Sequence, residues 1–198
     1  MAERCLFDLH IHSTRSPDSR LSPGIAVSRA RALGLSGIAF TDHDRLTIME
    51  PTSQDLALVP GAELSTEWGD LLALGICELP PAGLPVPELI AEIHRLGGVA
   101  VVPHPFSEAL ASICMNEHVF DIIGMVDGLE VTSPKRSVDN RRARALADKH
   151  RKAVVGGSDA HSADGMGWGF TACEENTVEG LLRAIREGRT EAFIRRTP

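Results

Sequence analysis

Five of the eight histidines in this chain, His10, His12, His43, His104 and His161, stand at the ends of apolar runs, most of them with a carboxylate close by. In Asp8-Leu9-His10-Ile11-His12-Ser13, strand alternation points Asp8, His10 and His12 one way and Leu9 and Ile11 the other. Two imidazoles on one face can grip a single cation; the competing reading is a pair of core histidines satisfied by hydrogen bonds. Thr41-Asp42-His43-Asp44 follows the apolar run Gly37-Ile38-Ala39-Phe40, and in βα architectures reactive groups collect at such strand ends. His43 is the ligand candidate there, while Asp42 and Asp44 could orient imidazoles or cap the following turn. Glu63, after Pro60-Gly61-Ala62, could bridge two cations or be an exposed loop residue. Asp18 lies in a polar loop after His12 and could be a ligand or a turn residue.

The second half of the chain repeats the pattern. His104 sits between Pro103 and Pro105 at the end of Val99-Ala100-Val101-Val102, where fixed backbone suits a rigid ligand. Glu130 lies inside the hydrophobic run Gly128-Leu129-Glu130-Val131, and a buried carboxylate needs a cation or donor nearby. Asp159 and His161 follow the glycine pair Gly156-Gly157 and repeat the spacing of His10 and His12. Taken together, His10, His12, Asp18, His43, Glu63, His104, Glu130, Asp159 and His161 form a donor set of nitrogen and oxygen without thiolate, which suits zinc, manganese or iron in a polynuclear site. His94, His118 and His150 fall in helical or loop contexts and fit ordinary roles.

The elements that must position these residues alternate short β-type runs with helical patterns, the signature of βα units on a mainly parallel sheet. Strands are expected at Cys5 to Ile11, Gly37 to Phe40, Ala57 to Val59, Leu71 to Cys77, Val99 to Val102, Gly128 to Val131 and Ala153 to Val155, with a closing strand at Ala192 to Ile194. A helix should begin at Ser22-Pro23 and stop at Gly34, since serine caps and proline fits the first turn. Further helices are expected to end near Gly97-Gly98 and to run from Val138 to Lys149 and from Thr177 to Glu187.

With 198 residues and 43% apolar content, the chain can bury one core and is read as a single domain, 1–198. No apolar stretch reaches membrane-spanning length and no signal-like segment precedes the first strand, so a cytoplasmic location is expected. Cys5, Cys77, Cys114 and Cys173 show no CxxC pair and are expected as free buried thiols. The net charge of -7, the lack of tyrosine and the two tryptophans argue against a basic or stacking track for extended nucleic acid. A small anionic substrate stays open, because bound cations make the local field positive.

In order and spacing, Asp8-Leu9-His10-Ile11-His12-Ser13, Thr41-Asp42-His43-Asp44, Gly61-Ala62-Glu63, Pro103-His104-Pro105, Leu129-Glu130-Val131 and Gly157-Ser158-Asp159-Ala160-His161 resemble the PHP family, named for polymerase and histidinol phosphatase. The resemblance implies a distorted (β/α)7 barrel with two or three divalent metal ions at the carboxyl ends of its strands, here without the inserted subdomain that many relatives carry between the positions of Glu63 and His104. It implies one metal held by His10, His12, Glu63 and Asp159, a second reached by Glu63 with His104 and Glu130, and a third held by Asp18, His43 and His161. At the position of Glu130 some members use histidine.

The stand-alone phosphoesterase branch is the one most resembled, implying hydrolysis of a small, nucleotide-like phosphate monoester. A water shared by two cations and acidified towards neutrality would attack phosphorus in line with the ester oxygen. Glu63, Asp159, His43 and His161 are the expected catalytic set, with His161 or His43 near the leaving group and no general acid assigned. Lys135, Arg141 and Arg15 are candidates for phosphate contact, each also readable as a solvated surface cation. The alternatives are histidinol-phosphate phosphatase, a noncatalytic PHP module that assists a partner, and a nuclease acting on single-stranded ends.

Overall fold

Serine at a helix start and glycine past its end set the first helix. In the computed structural model, which describes residues 4–49, 55–110, 112–134 and 137–195, the Ser22 hydroxyl accepts from the Ile25 amide and Gly34 follows with φ +71°. The chain runs β1 (Cys5–Ile11), α1 (Pro23–Ala32), β2 (Gly37–Phe40), β3 (Ala57–Val59), β4 (Gly61–Thr66), β5 (Gly69–Leu74) and α2 (Val86–Arg95). It continues with β6 (Val99–Val102), α3 (Val119–Ile122), β7 (Gly128–Glu130), α4 (Asn140–His150), β8 (Ala153–Val155), β9 (Gly169–Cys173), α5 (Val178–Arg186) and β10 (Glu191–Ile194). Helix α4 begins later than Val138 because the Asp139 carboxylate caps it, accepting from the Arg142 amide at 3.0 Å. Thr177 caps α5 in the same way, at 3.1 Å from the Gly180 amide.

The strands form two five-stranded mixed sheets, ordered β10-β9-β1-β2-β3 and β4-β5-β6-β7-β8. Parallel pairing is confined to β1/β2, β2/β3, β6/β7 and β7/β8; β1/β9, β9/β10, β4/β5 and β5/β6 are antiparallel. The expectation of a mainly parallel sheet thus holds for half the pairs. Every antiparallel pair involves one of two segments, 61–74 and 169–173. The segment 61–74 folds as a hairpin about Thr66-Glu67-Trp68-Gly69, with Gly69 at φ +120° and the Trp68 amide held by the Thr66 hydroxyl at 3.1 Å. Gly169–Cys173 supplies a strand paired to both β1 and β10.

The two sheets touch through backbone hydrogen bonds at their functional ends, and among the described residues the strand ladders do not close into one ring. The His12 amide donates to Ala160 O at 2.9 Å, and the Asp44 amide to Glu63 O at 2.8 Å. Both links run through residues flagged for chemistry.

Apolar packing fills three clusters. Ile90 and Ile93 of α2 and Leu146 of α4 pack with Val102 and Leu129. Phe7, Leu9, Leu72, Leu74 and Val155 meet Leu181 and Ile185 of α5. Ile11, Ile38 and Phe40 lie with Ala26 and Ala30 of α1. Each such buried Leu, Ile or Phe contributes roughly 1.5–3 kcal/mol relative to exposure, so the strand ends rest on a rigid base. No described helix is long and apolar enough to cross a membrane. All four cysteines are free, but only Cys114 and Cys173 are buried; Cys5 is half-buried and Cys77 exposed.

Gly157 has a specific spatial reason. A β-carbon there would lie 2.4 Å from His10 Cβ and 2.8 Å from His10 N, so the glycine lets the Gly156-Gly157-Ser158 segment pass directly against β1. Gly157→Ala should force β1 and the loop apart, lowering stability by about 1–3 kcal/mol and displacing His10. Thermal melts of the metal-free protein test this, and an unchanged midpoint would show that the contact relaxes freely.

Candidate metal centre

His10 and His12 occupy the carboxyl end of β1, His43 follows β2, His104 follows β6, Glu130 ends β7, and Asp159 and His161 follow β8. Glu63 points inward from β4 and Asp18 comes from the loop after β1. The structure gathers all of these at one rim. His10, His12, Glu63, His104, Glu130 and Asp159 are buried there, whereas Asp18 is exposed and His43 and His161 are half-buried.

Four donor atoms form a compact group: His10 Nε2, His12 Nε2, Glu63 Oε2 and Asp159 Oδ1. His10 Nε2 lies 3.1 Å from His12 Nε2, 3.3 Å from Glu63 Oε2 and 3.7 Å from Asp159 Oδ1. His12 Nε2 lies 3.1 Å from Glu63 Oε2 and 3.4 Å from Asp159 Oδ1. A tetrahedron with metal–ligand bonds of about 2.0–2.1 Å has edges of about 3.3–3.4 Å, and these five spacings lie around that value. At the His10–His12 distance one Nε2 can donate to the other, or both can face one cation.

Two more groups adjoin it. Glu63 Oε1 lies 3.1 Å from His104 Nε2, and His10, Glu63 and His104 converge as a second donor set. Asp18 Oδ2 lies 3.3 Å from His43 Nε2 and 3.1 Å from His161 Nε2, and with His12 these form a third. Glu63 also reaches His43 Nδ1 at 3.4 Å, so this one carboxylate touches four imidazoles.

Glu130 is placed differently from the other expected donors. Its Oε1 lies 3.3 Å from His10 Nδ1 and its Oε2 accepts the His104 backbone amide at 2.9 Å. It therefore fixes the orientation of one imidazole and the backbone of another, the arrangement that tunes a ligand through its far nitrogen. Glu130→Gln should weaken metal affinity by about 10–100-fold while leaving the fold intact, measured by competition with a chelator; unchanged affinity would contradict the orienting role.

Asp8, Asp42 and Asp44 have structural partners. Asp8 is buried and accepts the Ser158 and Gly167 amides at 2.8 and 2.9 Å; burial pushes its carboxyl up to about 6. Asp42 accepts the Ser13 amide at 2.6 Å, the Ser13 hydroxyl at 2.8 Å and the Thr47 hydroxyl. Asp44 accepts the Ser65 amide at 2.9 Å. Asp42 thus ties its loop to Ser13 and to Thr47 of the following turn, and Asp44 ties it to Ser65 of β4. Arg141 is exposed in the first turn of α4 and outside the converging groups, and Lys135 lies outside the described residues.

Sequence reasoning missed Ser16, Cys114 and Asp70. The Ser16 hydroxyl accepts the His43 amide at 2.8 Å and lies 3.3 Å from His12 Nδ1, and Cys114 Sγ lies 3.5 Å from His104 Nδ1. None of the three has a motif of its own. His104 and Asp159 adopt φ +28° and +50°, conformations worth of order 1–3 kcal/mol of strain in non-glycine residues and typical of functional sites.

The electrostatics of the cluster favour positive charge on its imidazoles. Burial opposes charge on His10, but Glu63, Asp159 and Glu130 outweigh it and raise its pKa well above the usual imidazole value. For His104 burial is likewise overcome, by Cys114 and Glu63, and the pKa rises to about 10. Glu63 is held well below the carboxylate range: burial resists, and His10 and His104 prevail. Without a metal both imidazoles favour the protonated form, and a divalent cation competes with those protons. Metal uptake at pH 7 should release protons and weaken as pH falls. Calorimetry in buffers of different ionisation enthalpy checks this, and a buffer-independent heat would contradict it.

The PHP domain family model matches residues 8–103, and a PHP-associated model matches residues 138–190. The uncharacterized protein MJ1587 of Methanocaldococcus jannaschii is 31% identical over 139 residues, 63% of this chain and 79% of that protein. This chain belongs to the PHP family. The 5'-3' exoribonuclease Rnm of Escherichia coli is 36% identical over 160 residues, covering 77% of this PHP chain but 40% of that enzyme. A crystal structure of a two-domain Bacteroides vulgatus protein containing a predicted PHP-like metal-dependent phosphoesterase superposes with TM-score 0.77 at 19% identity, over 98% of this chain and 65% of the other. The match shows a shared fold. The PHP chain carries candidate donor groups for divalent metal, as a member of a family with metal-dependent hydrolases should.

Proposed function

We propose that this PHP protein is a metal-dependent phosphoesterase that hydrolyses a small, nucleotide-like phosphate monoester. The observation that carries the reading is the four-atom group of His10, His12, Glu63 and Asp159, flanked by two further donor sets that share its members. We assign His10, His12, Glu63 and Asp159 to one zinc, manganese or iron ion, His104 with Glu63 to a second, and Asp18, His43 and His161 to a third. When bound, such ions supply Lewis-acid charge and lower the pKa of a coordinated water towards neutrality. The protein's part is positional. Glu63 ties the donor sets together, Glu130 holds the His10 ring, and the half-buried His43 and His161 face solvent where a leaving group would sit. The region 1–198 acts as one unit, since Glu63 from the first half and Asp159 from the second complete one donor group. Its two sheets, linked at His12/Ala160 and Asp44/Glu63, read as a distorted (β/α)7 barrel.

The surface beside Asp44 suits a small substrate. A recess of about 500 Å³ is lined by Arg15, Asp44, Arg45, Leu46 and Leu79. It adjoins one of about 530 Å³ with an apolar wall of Leu64, Leu79, Pro80, Leu84 and Leu89. Guanidinium groups next to an apolar wall suit a phosphate attached to a flat ring. Four free cysteines suit a reducing compartment such as the cytoplasm.

The second reading, removal of nucleotides from RNA 5' ends, is favoured by the similarity to Rnm. The two separate in one assay: the metal-loaded protein is given nucleoside monophosphates, 3',5'-bisphosphates, histidinol phosphate and 5'-phosphorylated RNA. Inorganic phosphate released fastest from a mononucleotide substrate supports the proposal. Faster release of mononucleotides from RNA selects the nuclease, and no product from any of them overturns both.

A further inference from the structure

Asp70 lies on β5 opposite Ser65 of β4, and Glu63 is two residues along β4 on the same face. Diagonal neighbours of an antiparallel pair are within reach of each other. Here a carboxylate oxygen of Asp70, one of Glu63 and a ring nitrogen of His43 lie within 4.8 Å of one another. Asp70 is 4% exposed, and its Oδ2 is buried without a hydrogen-bond partner. A buried carboxylate oxygen left unsatisfied beside a second carboxylate is destabilising twice over, by desolvation and by like-charge repulsion. Such a placement calls for a proton or a cation on the carboxylate. Glu130 is engaged through both oxygens, with His10 Nδ1 and the His104 amide, so it does not compete for that role.

We propose that Asp70 is an additional metal ligand, completing with Glu63 and His43 a cation position that the nine-residue motif set does not include. The inference rests on the metal-dependent reading above. It adds that the hairpin β4/β5 contributes two carboxylates to the centre, one from each strand, and that the metal content of this chain depends on a residue outside every motif.

The test compares the full chain with Asp70→Asn, which keeps the shape and removes the charge. Metal per chain is measured by elemental analysis after dialysis against Zn²⁺ or Mn²⁺, affinity by chelator competition, and the melting midpoint with EDTA and with metal. Asp70→Asn should weaken at least one cation by about 10–100-fold or more, the loss that even an outer-shell change produces. It should also shift the midpoint in opposite directions: upward in EDTA, where a repelling carboxylate has gone, and downward with metal, where a ligand has gone. Equal metal content and affinity in both proteins, with the wild type loaded, overturns the role of Asp70 alone. A wild-type chain that binds no metal overturns the metal-dependent reading as well. An Asp70→Asn chain that fails to fold in EDTA makes Asp70 structural and also overturns the proposal.

Discussion

Glu63→Gln should lose metal and hydrolysis together, with activity falling by more than about 10³-fold. Its two oxygens lie 3.3 Å from His10 Nε2, 3.1 Å from His12 Nε2, 3.4 Å from His43 Nδ1 and 3.1 Å from His104 Nε2. An amide keeps the shape but presents a donor where a cation or imidazolium is expected. The metal-free protein should suffer too. Glu63 is the largest source of the field that keeps the buried His10 protonated, and removing one partner of a buried ion pair is destabilising by about 3–5 kcal/mol. For a chain of this size that corresponds to a melting midpoint lower by roughly 6–20 °C. Melting in EDTA reads the stability effect and elemental analysis the metal. A Glu63→Gln protein with wild-type metal content would remove Glu63 from the centre.

His10→Ala should be as damaging to activity, more than about 10³-fold, for a different reason. His10 belongs to two donor sets, one with His12 and Asp159 and one with Glu63 and His104, so one truncation opens both. Metal per chain should fall by more than a single site. His94→Ala is the matched control: that imidazole pairs with Asp127 at 2.8 Å, outside the donor groups, and its loss should leave turnover and metal unchanged. Equal turnover of His10→Ala and the control would contradict the assignment.

The parts of the centre that could be read from sequence are those written in short-range periodicity. His10 and His12 share a face because strand alternation puts them there, and the prolines around His104 mark a fixed backbone. Helix limits followed from Ser22, Thr177 and Gly34, whose capping chemistry is local. What was not legible depends on pairing across strands. Asp70 carries no motif, and only the antiparallel register of β4 and β5 brings it to Glu63. Glu130 was recognised as a buried carboxylate needing a partner, but its partners, the His10 ring and the His104 amide, come from strands far away in sequence. The same limit applied to the fold: β9 was missed because its partners β1 and β10 lie at the two ends of the chain, so no local run announces it.

Anomalous scattering from crystals grown with zinc or manganese, collected at the metal edge, tests the shared-cation centre most directly. The account predicts a peak between His10 Nε2, His12 Nε2, Glu63 Oε2 and Asp159 Oδ1, within bonding distance of all four. Crystals that hold the metal only at surface carboxylates, from protein that hydrolyses phosphate esters at full rate, would contradict it.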